Sequence, residues 1–317
     1  MLLYLYIAIE SVAILCFGIL VLHHTKLAKR QPQQLQLRKS YIRQIIKILF
    51  SEECFEIYPI PNSNRRRAAL AEALYITLNH TYGTDSAIIR ELTRRYGLDL
   101  YLQFRIRWSQ GFRRAHALML MSVIPSHHSS THLLQHHLHS RNHDIRTAAL
   151  LATLAADPSK AIPTIASLKF DLSPLDIARI IKLLRRGLLP IAYDPLLQST
   201  NRNLQMLGLA IVRNFGIEIA DKHLQNIIAN ASDASIVHEA IYTFSTLGRP
   251  LGRTKVRDRL SLMTPRQRRQ LCRHLTQSGY SLSALRCIFT PSETLYSESI
   301  IKSYKRDLIC QQSSTTP

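Results

Sequence analysis

One stretch near the middle of the chain decides the fold: it reads DIRTAALLATL and covers residues 144–154. Alanines and leucines recur in it at the three- and four-residue spacing of a single helix face. The small alanines let a neighbouring helix approach closely, and the leucines fill the layer between helices. Asp144 stands where it could cap the helix N-terminus. The stretch therefore predicts a helix that packs between other helices.

Similar helices recur downstream at a regular interval. Their predicted starts lie near residues 111, 144, 175, 203, 235 and 265, which are 28 to 33 residues apart. Shorter helices are predicted between them, at 130–139, 161–168, 190–198, 221–230, 252–262 and 282–289. Three more are predicted upstream, at 65–80, 85–96 and 98–108. Because one such pair cannot bury its apolar face alone, the pattern predicts stacked helical hairpins with a shared core.

Residues 144–154 and 236–248 resemble the second helix of a HEAT repeat, and the weaker resemblance extends from residue 65 to about residue 310. The short interval is similar to that of the bacterial form of the repeat. The resemblance implies an α-solenoid of helical hairpins over residues 63–310, without cofactors, and a disordered tail over 311–317. Since HEAT-like proteins mostly bind other macromolecules, it also implies a binding function.

The first 24 residues predict a transmembrane anchor. Residues 2–22 are apolar except for Glu10 and Ser11, and about 20 such residues cross a bilayer as a helix. A cleaved signal peptide is the alternative, but basic residues before the apolar run and a good cleavage site after it are both lacking. The predicted fold is therefore an N-terminal transmembrane helix followed by an all-α solenoid.

Charge beside the anchor predicts its orientation. Residues 26–47 contain basic side chains and no acidic one, which places them in the cytoplasm and the N-terminus outside. The expected localisation is a single-pass cell-membrane protein. Glu10 is the candidate intramembrane contact: either it pairs with a polar group of another membrane protein, or it is protonated or drawn towards the outer interface.

Residues 25–62 predict a basic linker followed by an amphipathic helix. Apolar residues at 42, 45, 46 and 49 share one face, and Arg43 and Lys47 lie on the other. Such a helix could rest on an anionic lipid surface. Alternatively it caps the following helical domain, which the apolar face favours.

The net charge predicts an anionic binding partner, because the chain has 41 basic residues and 21 acidic ones. Arginines concentrate at 90–114 and 249–273, where bidentate contacts with carboxylate or phosphate are expected. A solvated face is the plainer interpretation of such clusters. The candidate binding residues are Arg105, Arg107, Trp108, Arg113, Arg114, Arg253, Arg257, Arg266 and Arg269.

Catalytic patterns do not stand out in the sequence. His132 and His136 are four residues apart and could chelate zinc from one helix face, but they are weak candidates without a third ligand. No enzyme is predicted. The expected function is a membrane-tethered adaptor that binds a protein partner, itself expected to be a membrane protein. Nucleic-acid binding is the alternative, since HEAT-like DNA glycosylases resemble this fold and its basic character, and a HEAT-like lyase is a weaker third.

Overall fold

The computed structural model describes residue 17 and residues 32–50, 56–81, 86–124, 131–185, 192–251 and 256–313. Helices are the regular elements throughout this part of the chain, and no strand occurs in it. The predicted all-helical class is therefore confirmed for the described residues. The chain divides after Pro158 into two compact units, here called the first unit and the second unit.

The first unit is built from seven described α-helices. They are α1 (32–50), α2 (Asn64–His80), α3 (Ser86–Arg95), α4 (Leu98–Trp108), α5 (Gly111–Met121), α6 (Thr131–Leu138) and α7 (His143–Ala156). Two antiparallel pairs, α4 with α5 and α6 with α7, pack against each other through α5 and α7, while α2 contacts both α4 and α5. Helix α7 contains the stretch that the sequence singled out, and its side chains from Thr147 to Leu154 are buried. Its N-cap is Asn142, whose side chain accepts a bond from Ile145 N, so Asp144 is not the cap.

Helix α1 packs into the first unit through a stripe that differs from the predicted one. Tyr41, Ile45 and Ile48 are buried, whereas Ile46 is exposed. The hydroxyl of Tyr41 donates to Pro59 O at 2.6 Å. Gln44 makes two bonds to the backbone of Tyr58, donating to its carbonyl and accepting from its amide. These contacts bear out α1 as a packed helix of the domain.

The second unit is built from ten α-helices in the described residues. They are α8 (Ala161–Ala166), α9 (Pro174–Arg185), α10 (Asp194–Gln198), α11 (Arg202–Phe215), α12 (Asp221–Asn230), α13 (Ala234–Thr246), α14 (Val256–Arg259), α15 (Pro265–Gln277), α16 (Leu282–Ile288) and α17 (Pro291–Ser313). In one row α9, α11, α13, α15 and α17 each contact the next, and in a second row α12, α14 and α16 do the same. Leucines, isoleucines and Phe244 fill the core between the rows. Hairpins are therefore stacked in chain order within this unit.

Polar contacts between successive hairpins of the second unit recur at one separation. Arg202 Nε donates to Asp233 Oδ2 at 2.8 Å, and these residues are 31 apart. Arg202 also pairs with Asp171, which precedes it by the same interval. Three further contacts have this separation: Leu172 N to Asn203 Oδ1, Arg249 Nη2 to Glu218 Oε2, and Tyr280 OH to Arg249 O. We call this set the polar ladder. It agrees with the interval predicted from the sequence.

The predicted membrane helix needs correction. Apart from residue 17, residues 2–22, including Glu10, lie outside the described residues. Across the described segments, none of the helices combines the length and the apolar character that a membrane crossing needs. The longest of those with printed bounds, α17, carries Glu293, Glu298 and Lys302 among its polar residues, so it cannot take that role. This finding contradicts the predicted fold with a membrane anchor and the single-pass membrane localisation, and both are withdrawn.

Candidate functional site

A row of large apolar side chains is exposed on the α4–α5 hairpin of the first unit. The exposed fractions are 72% for Leu100, 57% for Phe104, 73% for Trp108 and 80% for Phe112. The rings of Phe104 and Trp108 lie 6.2 Å apart, and Phe112 stacks on His116. Side chains of this size are normally buried, so a group of them exposed on one hairpin is a candidate interaction surface.

The sequence of α4 explains why this row faces solvent. Leu98, Leu102 and Ile106 are fully buried and take up the apolar face that packs against the rest of the unit. Leu100, Phe104 and Trp108 follow one another at four-residue spacing, so they share the opposite side of the same helix. Helix α4 ends at Trp108 and is capped by Ser109, whose amide bonds to Arg105 O, and α5 begins at Gly111. Phe112 therefore lies at the same end of the hairpin as Trp108.

Four arginines border this row, and the structure separates them into two kinds. Arg105 Nη1 donates to the hydroxyl of Tyr101 within α4 at 3.2 Å, and Arg114 Nε of α5 donates to Ser109 O of the connection at 2.7 Å, so both are engaged inside the hairpin. Arg107 and Arg113 are exposed and have no hydrogen-bond or ion-pair partner within the described residues. We call Leu100, Phe104, Arg107, Trp108, Phe112 and Arg113 the aromatic–arginine surface.

The second predicted arginine cluster is partly used inside the fold. Arg268 Nε lies 3.0 Å from Glu293 Oε1, and Arg269 Nε donates to Pro265 O at 3.3 Å. Arg257 and Arg266 are exposed, without a partner among the residues described. Arg253 lies outside the described residues. The cluster borders a shallow pocket of about 550 Å³ between the first turns of α15 and α17, where the Glu293 carboxylate offsets Arg268.

The histidine pair predicted for metal lies on α6. His132 and His136 are both exposed, and the ring of His136 meets that of His137 edge to face at 5.3 Å. In the described segments, no group of three or more histidine, cysteine or acidic side chains is arranged to hold a metal ion. A metal site at His132 and His136 therefore remains a prediction, and no third ligand is found for it in the described residues.

Sequence reasoning missed a mixed cluster on the long row of the second unit. The ring of Tyr242 on α13 stacks on His274 of α15 at 4.4 Å, and the Arg213 guanidinium lies 4.6 Å from the Tyr242 ring centroid. Arg213 also pairs with Glu239. The ring of His238 lies 6.5 Å from that of His274, across neighbouring helices.

Burial dominates the electrostatics of that cluster. It lowers the pKa of His238, with the positive charges of His274 and Arg213 lowering it further while Glu239 opposes them. It also lowers the pKa of His274, where Glu239 opposes and Arg213 and Arg273 add to the effect. The Nε2 atom of His238 is buried without a hydrogen-bond partner in the described part of the chain. Burial therefore disfavours the charged form of both imidazoles.

The environment of Cys272 fits a structural role better than a catalytic one. Its thiol is buried, lies 2.9 Å from Ser297 Oγ, and faces Glu293 O at 3.6 Å. Burial raises the pKa of the Cys272 thiol, against the lowering effect of the Ser297 hydroxyl. A thiol of this kind is a poor nucleophile.

The sequence identified part of the aromatic–arginine surface and missed the rest. Arg107, Trp108 and Arg113 were predicted from the basic cluster, whereas Leu100 and Phe112 were not. A signal for Leu100 was present: it stands four residues before Phe104 and on the other side of α4 from the buried leucines. Phe112 carried no such signal, because its exposure depends on where α5 begins.

Comparison with known protein families, with curated proteins and with solved structures found no significant match to this chain.

Proposed function

We propose that this protein is a non-enzymatic helical-repeat scaffold that binds a protein partner through the aromatic–arginine surface. One observation carries the proposal: Leu100, Phe104, Trp108 and Phe112 are exposed in a row beside two arginines without partners in the described segments. Tryptophan and arginine are the residue types that dominate binding energy in protein interfaces. The proposal includes no membrane tether.

The HEAT-like interpretation is part of this proposal. The two helix rows of the second unit and the polar ladder support it, because repeat proteins make their contacts between neighbouring repeats. The buried alanines of α7 support it as well, since they allow close helix packing. The resemblance otherwise rests on the residues of 144–154 and 236–248.

A scaffold is favoured over an enzyme by the environment of Cys272, whose raised pKa makes it a weak nucleophile. It is favoured over a nucleic-acid binder by Leu100, which can neither stack on a base nor contact a phosphate. Aromatic side chains and arginines do stack on single-stranded nucleic acid, so that partner is the alternative outcome of the test.

Photo-crosslinking of the full-length chain tests the proposal. A Phe104→p-benzoylphenylalanine variant places a crosslinker in the surface, and an Ile219→p-benzoylphenylalanine variant is the matched control, since Ile219 is 86% exposed in the second unit. We expect the first variant to give a discrete protein adduct in cells, and the control to give none of the same mass. Adding Trp108→Ala to the first variant should reduce the adduct at least about tenfold.

Three outcomes would contradict the proposal. Equal adducts from both positions would mean that exposure alone determines crosslinking. An adduct insensitive to Trp108→Ala would mean that the surface does not bind. An adduct removed by nuclease would replace the protein partner with nucleic acid.

A further inference from the structure

We propose that the occupant of the aromatic–arginine surface is an acidic amphipathic helix of the partner protein. This inference rests on the proposed function and names the chemistry of the segment that binds. It is drawn from three features of the surface: the direction of its apolar row, the sign of the charge beside that row, and the lack of a strand edge in the described residues.

The apolar row runs along a helix axis. At 1.5 Å per residue, Leu100 and Trp108 are about 12 Å apart along α4, which is slightly more than two helical turns. At 100° per residue they lie within about 80° of each other around the axis, with Phe104 between them. Phe112 lengthens the row at the hairpin end. A straight, narrow apolar row of this kind matches the apolar face of a second helix with anchors at three- and four-residue spacing.

The charge beside the row is positive and is not neutralised within the hairpin. Arg107 lies about 60° round α4 from Phe104, and Arg113 follows Phe112. The single carboxylate of α4–α5 belongs to Asp99, which accepts a bond from Gln103 at 3.1 Å. It lies about 140° round the helix from Phe104, away from the row. Aspartate or glutamate on the partner would therefore meet two guanidinium groups that lack partners among the described residues.

An extended segment fits the surface less well than a helix. A bound strand is held chiefly by main-chain hydrogen bonds to an open sheet edge, and the described segments contain no strand. Side chains are then the available contacts, and a helix presents its side chains on one face without leaving its own backbone unpaired.

Trp108 provides a direct readout, because it is the one tryptophan of the chain and is 73% exposed. Its emission should move to shorter wavelength when a partner covers it. The probe is a synthetic tryptophan-free peptide of about 18 residues, long enough to form a helix, with leucines at helical spacing and glutamates on both flanks. Two controls have the same length: one carries lysine in place of every glutamate, and the other carries a central proline that breaks the helix.

We expect the acidic peptide to shift the emission of the full-length protein in a saturable way, and each control peptide to bind at least about tenfold more weakly. An Arg107→Glu, Arg113→Glu double variant should lose the acidic peptide by a similar factor and gain the lysine peptide. The matched control is a Lys169→Glu, Lys222→Glu double variant, which reverses two exposed lysines of the second unit and should leave binding unchanged. Circular dichroism checks that each variant is folded.

Several results would overturn the inference. Equal binding of the acidic and lysine peptides would remove the role of charge, and equal binding of the proline peptide would remove the helix. A shift produced by anionic lipid vesicles or by oligothymidylate, with none from the acidic peptide, would assign the surface to another class of partner. If the acidic peptide gives no shift while Phe104 still crosslinks to a protein, the scaffold proposal stands and the acidic-helix inference fails.

Discussion

Arg202 and Arg107 have the same side chain but lie in opposite environments. In the second unit, Arg202 pairs with Asp171 on one side and with Asp233 at 2.8 Å on the other. In the first unit, Arg107 is exposed and has no partner within the described residues. The arginines therefore fall into two groups: one connects neighbouring hairpins, and the other has no partner in the described residues and belongs to the proposed binding surface.

The two units also differ in how their exposed apolar side chains are arranged. In the second unit the exposed large apolar side chains are spread over several elements, and no more than two of them lie within four residues of each other: Leu175, Phe215, Ile219, Leu262, Leu295 and Tyr296. In the first unit Leu100, Phe104 and Trp108 share one helix side. The coincidence of this row with two arginines that lack partners in the described residues is the basis of the proposed binding surface.

The largest expected effect comes from removing a buried member of the polar ladder. Asn203 accepts from Leu172 N at 2.8 Å and donates to Phe170 O at 2.9 Å. Asn203→Ala leaves the buried amide of Leu172 without this partner, which costs about 1–3 kcal/mol, and losing the bond to Phe170 O costs about 0.5–1.5 kcal/mol more. We therefore expect the free energy of unfolding to fall by about 2–4 kcal/mol in chemical denaturation.

The control for this prediction is Asn226→Ala, which truncates an exposed asparagine of α12 and should change stability by less than about 0.5 kcal/mol. A loss for Asn203→Ala no larger than that of the control would mean that the ladder is incidental to the packing of the hairpins.

A smaller, pH-dependent effect is expected from the histidine cluster. Burial lowers the pKa of His238, with His274 and Arg213 adding to it, so the folded protein disfavours the charged imidazole. Above a pH of about 6.5 the side chain is neutral in both states and has no effect. As the pH falls below that value the unfolded chain takes up the proton first, so stability decreases until the lowered folded pKa is reached.

Thermal unfolding measured in small pH steps checks this prediction. His238→Gln should flatten the acid-side decrease in stability, whereas His132→Gln removes an exposed histidine of α6 and should leave it unchanged. The same slope in His238→Gln and in the parent protein would assign the acid sensitivity to other groups.

The local sequence was sufficient to predict where the helices begin, but not which surface residues are exposed or paired. The predicted starts at 111, 144, 175, 203, 235 and 265 lie within one residue of the observed starts of α5, α7, α9, α11, α13 and α15. Helix periodicity acts over a few positions, so it can be read directly, whereas the cap of α7 was assigned to Asp144 and is Asn142. The stripe of α1 was predicted only in part: Ile45 is buried as expected, but Ile46 is exposed, and Tyr41, whose hydroxyl bonds to the sequence-distant Pro59, is buried instead.

The sequence could not show which arginines of the clusters are paired within the fold, because their partners are distant along the chain. Arg249 meets Glu218 and Asp221, and Arg268 meets Glu293, in each case across neighbouring hairpins. A count of charges within 249–273 contains no information about these carboxylates. The predicted membrane anchor failed for a different reason: hydropathy identified residues 2–22 as long and apolar, and the helices of the described segments do not include one of that character.

The smallest expected effect compares the two arginines directly. Arg202→Gln removes a charge shared with Asp171 and Asp233, but the side chain is 38% exposed, so screening limits the expected loss to about 0.5–1 kcal/mol. Arg107→Gln should leave stability within about 0.5 kcal/mol of the parent, since the side chain stabilises no contact in the described part of the chain. A double-mutant cycle with Asp233→Asn isolates the pair, because asparagine retains the N-cap of α13. Measurable coupling between Arg202 and Asp233, with no stability change on Arg107→Gln, would support different roles for the two arginines. A loss of stability on Arg107→Gln would instead show that Arg107 stabilises the fold, and would remove it from the proposed binding surface.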